Sequence, residues 1–499
     1  MTFTRRDFLK ASGLVAAWTA LSSCAPIAQT QVAATALPTA GITPIPSLND
    51  DALLIHTLKR VTFGPTPEMI EKAKRIGIDA FIEEQLSPES IPDEKTEKLL
   101  EGFSTLSMTP AERFRLEQKG EPVQELIAAT LLRQRHSERQ LFEMLVDFWG
   151  NHFSIFIGKN FCRVLKTDDD ALVIRPNALR KFRDLLYASA HSPAMLIYLD
   201  QAESRGEAPN ENYARELLEL HTVGVESGYS HHDVAELARV LTGWTVVGPR
   251  NRKQEPGTFI FDSSIHDDGE KHVMGLMISA GGEDEGMQIL DMLAGHASTA
   301  RFISQKLARR FVSDSPSPEL VDALSSTFLQ SDGDVRLLLR TLIAADAFKS
   351  SVGQKFKTPL DFFISTLRLT NATVQRSTRA LQERLRLLGQ VPFTWQPPNG
   401  FPDVAAYWAT TSGLLDRWNF GLSLTSNQIR GVEIDLKTLT KDAASPADIV
   451  DVLSIRFLGW LLPDDARSIL VDFASAGNLD ENIPSIAGLI LGSPHFQMR

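Results

Sequence analysis

The sequence is nearly free of cysteine. Only Cys24 and Cys162 occur in 499 residues, and Cys24 lies in the leader described below. An internal disulfide is therefore excluded from the mature chain, and stability in an oxidising compartment must come from the hydrophobic core. With 43% hydrophobic residues, the chain is long enough to bury a large core, in one large domain or in two lobes.

Positive charge and long apolar runs are also scarce. The 51 Lys and Arg residues are outnumbered by 62 Asp and Glu residues, which gives a formal net charge of -11. No basic stripe is available to neutralise phosphates, so nucleic acid is not expected as a partner. Beyond the leader, no apolar run approaches the ~20 residues that a membrane-spanning helix needs.

The motifs of the commonest hydrolase and nucleotide-binding folds are missing too. The sequence contains no G-x-S-x-G nucleophile elbow, no P-loop and no G-x-G-x-x-G fingerprint. Cys162, in NFCRVLK, has no histidine near it in sequence, which favours a buried structural thiol over a nucleophile.

The first 24 residues are typical of an export signal. Arg5 and Arg6 in TRRDFLK precede an uncharged, moderately apolar run that ends at LSSC, with Cys24 last. This pattern predicts export of the folded protein by the twin-arginine machinery, followed by lipid attachment to Cys24. The protein is then expected on the periplasmic or cell-surface side, anchored in the membrane by the lipid. The alternative is an ordinary secretory signal with an incidental cysteine.

Composition divides the rest of the chain. Residues 25–48 are rich in Ala, Thr and Pro and carry no charge, which predicts a flexible linker. From residue 49 to 499 apolar residues recur at helical spacing, so we expect a mainly α fold in one multi-helical domain or two lobes. TVVGP, GTFIFD and HVMGL interrupt this spacing near 245–276, which predicts a small inserted β-hairpin or three-strand ribbon.

Several polar and aromatic motifs occur in order along residues 50–499: RVTFGPTPE, DFWGNHF, FRDLLYASAHSPAMLIYLD, NENYARELLELHTVG, LTGWT, FDSSIHDDGEK, WQPPNGFP and LGSPHF. Together they resemble a widespread bacterial family, the domain of unknown function 1800 family. The resemblance implies an exported, predominantly helical protein with no established reaction. It also implies an exported, sulfatase-like partner, because members are often encoded beside such a protein.

The segment PNENYARELLELHTVG, residues 209–224, contains the main candidate site. At about 100° per residue, Asn212, Glu216 and Glu219 share one helix face, with Arg215 beside it, while His221 points among the leucines. This spacing is not a self-contained metal motif. The face is either functional or a solvated surface on which Arg215 pairs with a glutamate four residues away.

The partners expected opposite Glu216 and Glu219 are His152 in DFWGNHF, Arg239 before LTGWT, and His266 with Asp267 in FDSSIHDDGEK. For His152 a satisfied core histidine is the alternative. Glu216, Glu219 and Asp267 are the candidate ligands if a divalent metal is bound. The loop WQPPNGFP carries Trp395 and Phe401, which would either stack on a sugar or peptide or pack beneath the loop.

Two functions remain open at this level. One is an envelope enzyme that uses Glu216, Glu219, His152, Arg215, His266 and Asp267 for acid-base or metal-assisted chemistry on an envelope or polymeric substrate. The other is a non-catalytic scaffold or assembly factor that presents a polar groove to the exported partner.

Overall fold

The computed structural model describes residues 50–251, 253–374 and 379–499. The predicted signal with Arg5, Arg6 and Cys24, and the predicted linker 25–48, lie outside these residues. Within them the fold is mainly α with small β insertions, as the sequence predicts. No helix there combines the length and apolarity that a membrane span requires.

The α-helices are numbered in chain order. They are α1 Asp50–Val61, α2 Pro67–Ile76, α3 Ile78–Gln85, α4 Glu94–Leu100, α5 Pro110–Arg115, α6 Glu121–His136, α7 Gln140–His152, α8 Cys162–Asp168, α9 Arg175–Asn177, α10 Phe182–Ala190, α11 Pro193–Tyr198, α12 Glu211–Glu216, α13 His231–Val240, α14 Glu283–Ala294, α15 Ala297–Phe311, α16 Pro318–Gln330, α17 Val335–Ala344, α18 Asp346–Lys349, α19 Pro359–Leu369, α20 Arg379–Leu388, α21 Ala405–Trp408, α22 Thr411–Thr425, α23 Leu436–Leu439, α24 Pro446–Leu458, α25 Asp464–Ser475, α26 Leu479–Gly492 and α27 Pro494–Gln497.

Two π-helical segments, Asp169–Ile174 and Leu217–His221, continue α8 and α12. Such segments are rare, and they often occur at functional sites. Short 3-10 turns connect other elements, namely Pro88–Ser90, Ser104–Leu106, Gln201–Glu203, Val225–Ser227 and Ser263–Ile265.

The β structure consists of antiparallel two-stranded pairs. The predicted insertion contains two hairpins: β1 Trp244–Val246 pairs with β2 Phe259–Phe261, and β3 Lys271–Val273 pairs with β4 Leu276–Ile278. In the first, Trp244 lies opposite Phe261. A further pair joins β5 Thr373–Val374 to β6 Val432–Glu433, and the sequence pattern did not predict it.

The chain forms two compact units. Of the described residues, unit 1 contains 50–81, 349–374, 379–390 and 402–499, and unit 2 contains 82–251, 253–348 and 391–401. All six predicted catalytic residues belong to unit 2.

In unit 2, α7 runs through the core and places its last residue, His152, among aromatic rings. Trp149 is fully buried, and its indole nitrogen donates to the Ala178 carbonyl oxygen at 3.0 Å. The rings of Phe153 and Phe182 lie 6.5 and 5.9 Å from that of Trp149. Burial of these large rings is the main contribution that fixes the end of α7.

In unit 1, α22 and α26 pack closely because glycines face the partner helix. A Cβ atom at Gly492 would lie 1.9 Å from Cδ1 of Trp418, and one at Gly488 would lie 2.6 Å from Cδ2 of Leu422. The Trp418 indole donates to the Gly492 carbonyl oxygen at 2.8 Å. Only a residue without a side chain permits this approach.

Candidate functional site

The segment with Glu216 and Glu219 begins as the sequence predicts and then departs from regular helix. The Asn210 side chain caps α12 by accepting from the Asn212 amide at 2.9 Å. From Leu217 the backbone widens into the π-helix, and the Thr222 hydroxyl donates to the Leu217 carbonyl oxygen at 2.6 Å. The extra residue in this turn breaks the 100° spacing, so the angular argument from sequence holds only as far as Glu216.

The outer face of this segment carries the carboxylate pair, defined here as Glu216 and Glu219. Both side chains are half-buried. Burial raises the pKa of Glu216, the Glu219 carboxylate raises it further, and Arg215 opposes both effects. Arg215 itself pairs with Glu211 at 2.9 Å, which answers the question of which glutamate it contacts. The Tyr229 hydroxyl lies 3.5 Å from Glu219 Oε2.

Tyr198 links the carboxylate pair to the aromatic loop at 391–401. Burial raises the pKa of Tyr198, and the Cys162 thiol and the Glu216 carboxylate act in the same direction, so Tyr198 is within electrostatic reach of Glu216. Its hydroxyl donates to the Gln396 carbonyl oxygen at 2.7 Å. The backbone of Tyr198 is also held, because Lys159 Nζ donates to its carbonyl oxygen at 2.6 Å.

The aromatic loop is also fixed by Asn151. Its side-chain amide donates to the Phe401 carbonyl oxygen at 2.9 Å and accepts from the Phe401 amide at 2.7 Å. Within the loop, the Trp395 indole donates to Asn399 at 2.9 Å, and the rings of Trp395 and Phe401 lie 5.0 Å apart. The loop therefore presents aromatic rings in a defined conformation, anchored to the same tyrosine that lies near Glu216.

His152 lies in the core, and it is a satisfied histidine. Lys306 Nζ lies 2.9 Å from His152 Nδ1, and His152 Nε2 lies 3.1 Å from the His221 carbonyl oxygen. Because the ammonium donates to Nδ1, the ring hydrogen is on Nε2, which donates to the carbonyl. Burial, and then the charge of Lys306, hold the pKa of His152 well below its usual range. The residue is therefore neutral.

His221 was predicted to point among the leucines, away from the glutamates. It is 1% exposed, and neither ring nitrogen has a hydrogen-bond partner among the described residues. The rings of Phe153, His152 and Tyr213 surround it at 5.1 to 6.3 Å. Burial and Lys306 lower its pKa to about 3, so this imidazole is also neutral.

His266 belongs to a buried ionic group with Glu285 and Lys271, and all three side chains have zero exposure. His266 Nδ1 lies 2.7 Å from the Thr242 carbonyl oxygen, and Nε2 lies 3.1 Å from Glu285 Oε1. Both ring nitrogens therefore lie within hydrogen-bond distance of oxygen atoms. Lys271 donates to the other Glu285 oxygen at 2.6 Å. The group fastens the loop after β2 to α14.

Asp267 and Arg239 form a second ionic contact in the same loop. Arg239 donates to both carboxylate oxygens of Asp267, at 2.7 and 3.1 Å, and to Glu236 at 2.8 Å. Hydrogen bonding from Arg239 lowers the pKa of Asp267 to about 2. Arg239 and Asp267 were both expected opposite Glu216 and Glu219. In the structure they pair with each other.

Metal-ligating side chains are not gathered in the described ranges, where no group of three or more His, Cys, Asp or Glu residues could hold an ion. Glu216, Glu219 and Asp267, the expected ligands, therefore do not form such a group. The ionised neighbours that shift the Glu216 pKa are Glu219 and Arg215. Of the six predicted catalytic residues, Glu219 and Arg215 lie within electrostatic reach of Glu216. His152, His266 and Asp267 make polar contacts elsewhere.

Cys162 is a buried free thiol. Burial raises its pKa to about 12, so it carries no thiolate at neutral pH and is not a nucleophile. Sequence reasoning missed Tyr198, although this residue lies in FRDLLYASAHSPAMLIYLD, one of the motifs that carried the resemblance.

The comparisons with known proteins are brief. No curated protein and no solved structure matches this chain. One family model, described as "Protein of unknown function (DUF1800)", matches residues 56–498. The chain therefore belongs to the DUF1800 family.

Proposed function

We propose that this protein is an exported, lipid-anchored hydrolase of a cell-envelope polymer, with the carboxylate pair as its acid and base. The observation that carries the proposal is the half-buried pair itself, in which Glu216 has a raised pKa beside a second carboxylate. A carboxyl group with a raised pKa beside a second carboxylate is an arrangement that supports acid-base chemistry.

The roles follow from the pKa direction. Glu216, the group that holds its proton to higher pH, donates that proton to the leaving-group oxygen as the bond from this oxygen to the substrate breaks. Glu219, the second carboxylate, accepts a proton from the attacking water, whose oxygen forms the new bond. General acid-base catalysis of this kind contributes about 10² to 10⁴ in rate. Arg215 limits how far the Glu216 pKa rises.

The substrate class is suggested by the aromatic loop. Trp395 and Phe401 lie on this loop. The Tyr198 hydroxyl donates to the Gln396 carbonyl oxygen of the loop, and the Glu216 charge raises the pKa of Tyr198. Aromatic rings near a carboxylate pair suit a sugar ring, which stacks its apolar face and exposes its hydroxyl groups. A glycan of the envelope is accordingly the first polymer to test.

The test is release of soluble reducing sugar from isolated envelope glycans by the exported protein. Glu216→Gln and Glu219→Gln should each lower turnover at least about 100-fold, while melting temperatures stay at or above that of the unmodified protein. The matched control is Glu211→Gln on the same helix, because Glu211 is exposed and pairs only with Arg215 among the described residues. Full activity in Glu216→Gln would refute the assignment.

The location of the enzyme is part of the proposal and is tested separately. Lysine substitution at Arg5 and Arg6 should block export, and Cys24→Ser should move the protein from the membrane fraction to the soluble envelope fraction. An unchanged membrane fraction in Cys24→Ser would count against the lipid anchor. The exported sulfatase-like partner stays a prediction, which co-purification with the lipidated protein would test.

A further inference from the structure

Unit 1 contains a pocket that the carboxylate pair does not involve. The pocket is open: its empty space of about 430 Å³ includes solvent at its mouth, and the enclosed part is about 20 Å³. Three parts of the chain line it: the turn after α1 and the start of α2, the segment that begins α19, and the end of α24. The motif RVTFGPTPE supplies the first part, and Arg499 completes the lining.

The charge of this lining is strongly one-sided. Four basic side chains face the pocket, Lys59, Lys357, Arg456 and Arg499, against one acidic side chain, Asp361. Asp361 is itself engaged, because it accepts from the Thr358 amide at 3.3 Å as part of a helix cap and lies 3.4 Å from Arg499.

Lys357 is the most unusual of these cations. It is 5% exposed, and its ammonium group makes no hydrogen bond within the described residues; it lies 3.5 Å above the ring of Phe496. The backbone on either side is held firmly, since the Lys357 amide donates to Gln497 at 2.8 Å and the carbonyl accepts from Arg417 at 2.9 Å. Burial holds the pKa of Lys357 well below its usual range; Lys59 adds to this effect and Asp361 opposes it. An arriving anion would favour the charged form of the amine.

Lys59 and Arg456 also keep donors available. Lys59 Nζ has one hydrogen bond, to the Leu458 carbonyl oxygen at 3.3 Å, and lies 4.0 Å from the Trp460 ring centre. Arg456 uses Nε for the Leu369 carbonyl oxygen at 2.7 Å, and its two terminal nitrogens have no hydrogen bond to any described residue. Burial lowers the pKa of Lys59 to about 7, with Arg60 acting in the same direction, and it lowers that of Arg456 against the opposing charge of Glu68.

The remaining lining is apolar. Phe63, Ile70, Leu369 and Phe457 face the same space as the basic side chains. A small inorganic ion would leave these groups in contact with water, whereas an organic anion would cover them.

We propose that this pocket binds an organic anion, a carboxylate or phosphate group held by Lys357, Lys59 and Arg456 on an apolar body that contacts Phe63 and Phe457. The site is independent of the hydrolase proposed for unit 2, and its failure would leave that proposal untouched. The motif RVTFGPTPE and the chain end after LGSPHF meet here.

Isothermal titration of the full protein with octyl phosphate, octanoate, octanol and inorganic phosphate tests the proposal. Octyl phosphate or octanoate should bind at least about tenfold more tightly than octanol and than inorganic phosphate. Whichever of the two anions binds more tightly identifies the preferred headgroup, phosphate or carboxylate. Equal binding of octanol and the anions would reduce the site to an apolar cavity and overturn the proposal. So would the absence of binding in every arm.

Two variants and one control assign the contacts. Lys357→Met and Arg456→Gln should each weaken the favoured anion about tenfold or more. Lys441→Met, an exposed lysine of the same unit, should bind as the unmodified protein does. Without ligand, Lys357→Met should melt at the same or a higher temperature, because a buried amine that makes no hydrogen bond is removed. A lower melting temperature together with unchanged anion affinity would assign Lys357 a structural role and refute the proposal.

Discussion

Replacing Glu285 with leucine should destabilise the protein strongly, through the buried ionic group rather than through any reaction. Glu285 accepts from Lys271 at 2.6 Å, from His266 at 3.1 Å, and from the amides of Gly281 and Gly282 at 2.9 and 3.2 Å. Leucine leaves Lys271, which has zero exposure, without its carboxylate.

Removing one partner of a buried ion pair costs about 3–5 kcal/mol. Replacing both ionic partners is expected to cost much less, so Lys271→Met combined with Glu285→Leu should recover at least half of the loss. The measurement is urea-induced unfolding of the two single variants and the double variant. A loss below about 1 kcal/mol in Glu285→Leu, or a double variant no more stable than the weaker single variant, would refute the assignment of Glu285 as the central anion.

The same group predicts a pH dependence with a definite sign. Burial alone would raise the pKa of Glu285, but hydrogen bonds from Lys271 and the Gly281 amide hold it below its usual value. A carboxylate whose pKa is depressed on folding stabilises the protein above its unfolded pKa of about 4.3. That stabilisation is lost as pH falls through the folded pKa. The difference in unfolding free energy between the unmodified protein and Glu285→Gln should therefore shrink below about pH 4.

Three further predictions concern other parts of the molecule. Glu216 has a raised pKa, so its ionised form destabilises the folded state, and Glu216→Gln should raise the melting temperature at pH 7 but not at pH 4. Gly492→Ala forces a Cβ atom to within 1.9 Å of Trp418 and should lower the free energy of unfolding in urea by about 1–3 kcal/mol. Gly477→Ala is the control, because its Cβ meets only a side-chain nitrogen at 3.6 Å, and its loss should be less than half as large. The pKa of Lys59 is about 7 in the folded protein and near 10.4 in the unfolded chain. The free energy of unfolding should therefore rise between pH 7 and pH 10. This rise should be smaller in Lys59→Met, and an unchanged rise would contradict the assignment.

Local signals explain most of what the sequence predicted correctly. Helix starts are local features of this kind: Asn210 accepts from the Asn212 amide, two residues on, and Ser230 accepts from the Asp233 amide, three residues on. Helical spacing likewise predicted the mainly α fold, because each amphipathic face is encoded within one segment. The hairpin residues near 245–276 were recognised for the same reason.

The candidate site was predicted only where its geometry is local. Glu216 and Glu219 are three residues apart, so any helical backbone places them near each other. The π-helix at Leu217–His221 changes the direction of the residues after it, and no residue pattern indicated it. Whether His266 would face Glu216 or Glu285 depends on how α14 packs against the loop after β2, which is a tertiary contact.

The sequence by itself determined the helices, their caps, the inserted strands and the family, because each depends on short-range geometry or on motifs in order. Tertiary structure alone decided which charges meet. It joined β5 to β6 across about 60 residues of chain, paired Lys271 with Glu285, and brought Lys59, Lys357 and Arg456 around one pocket. The physical reason is that burial and electrostatic pairing depend on distance in space, which residue spacing does not encode beyond a few helical turns.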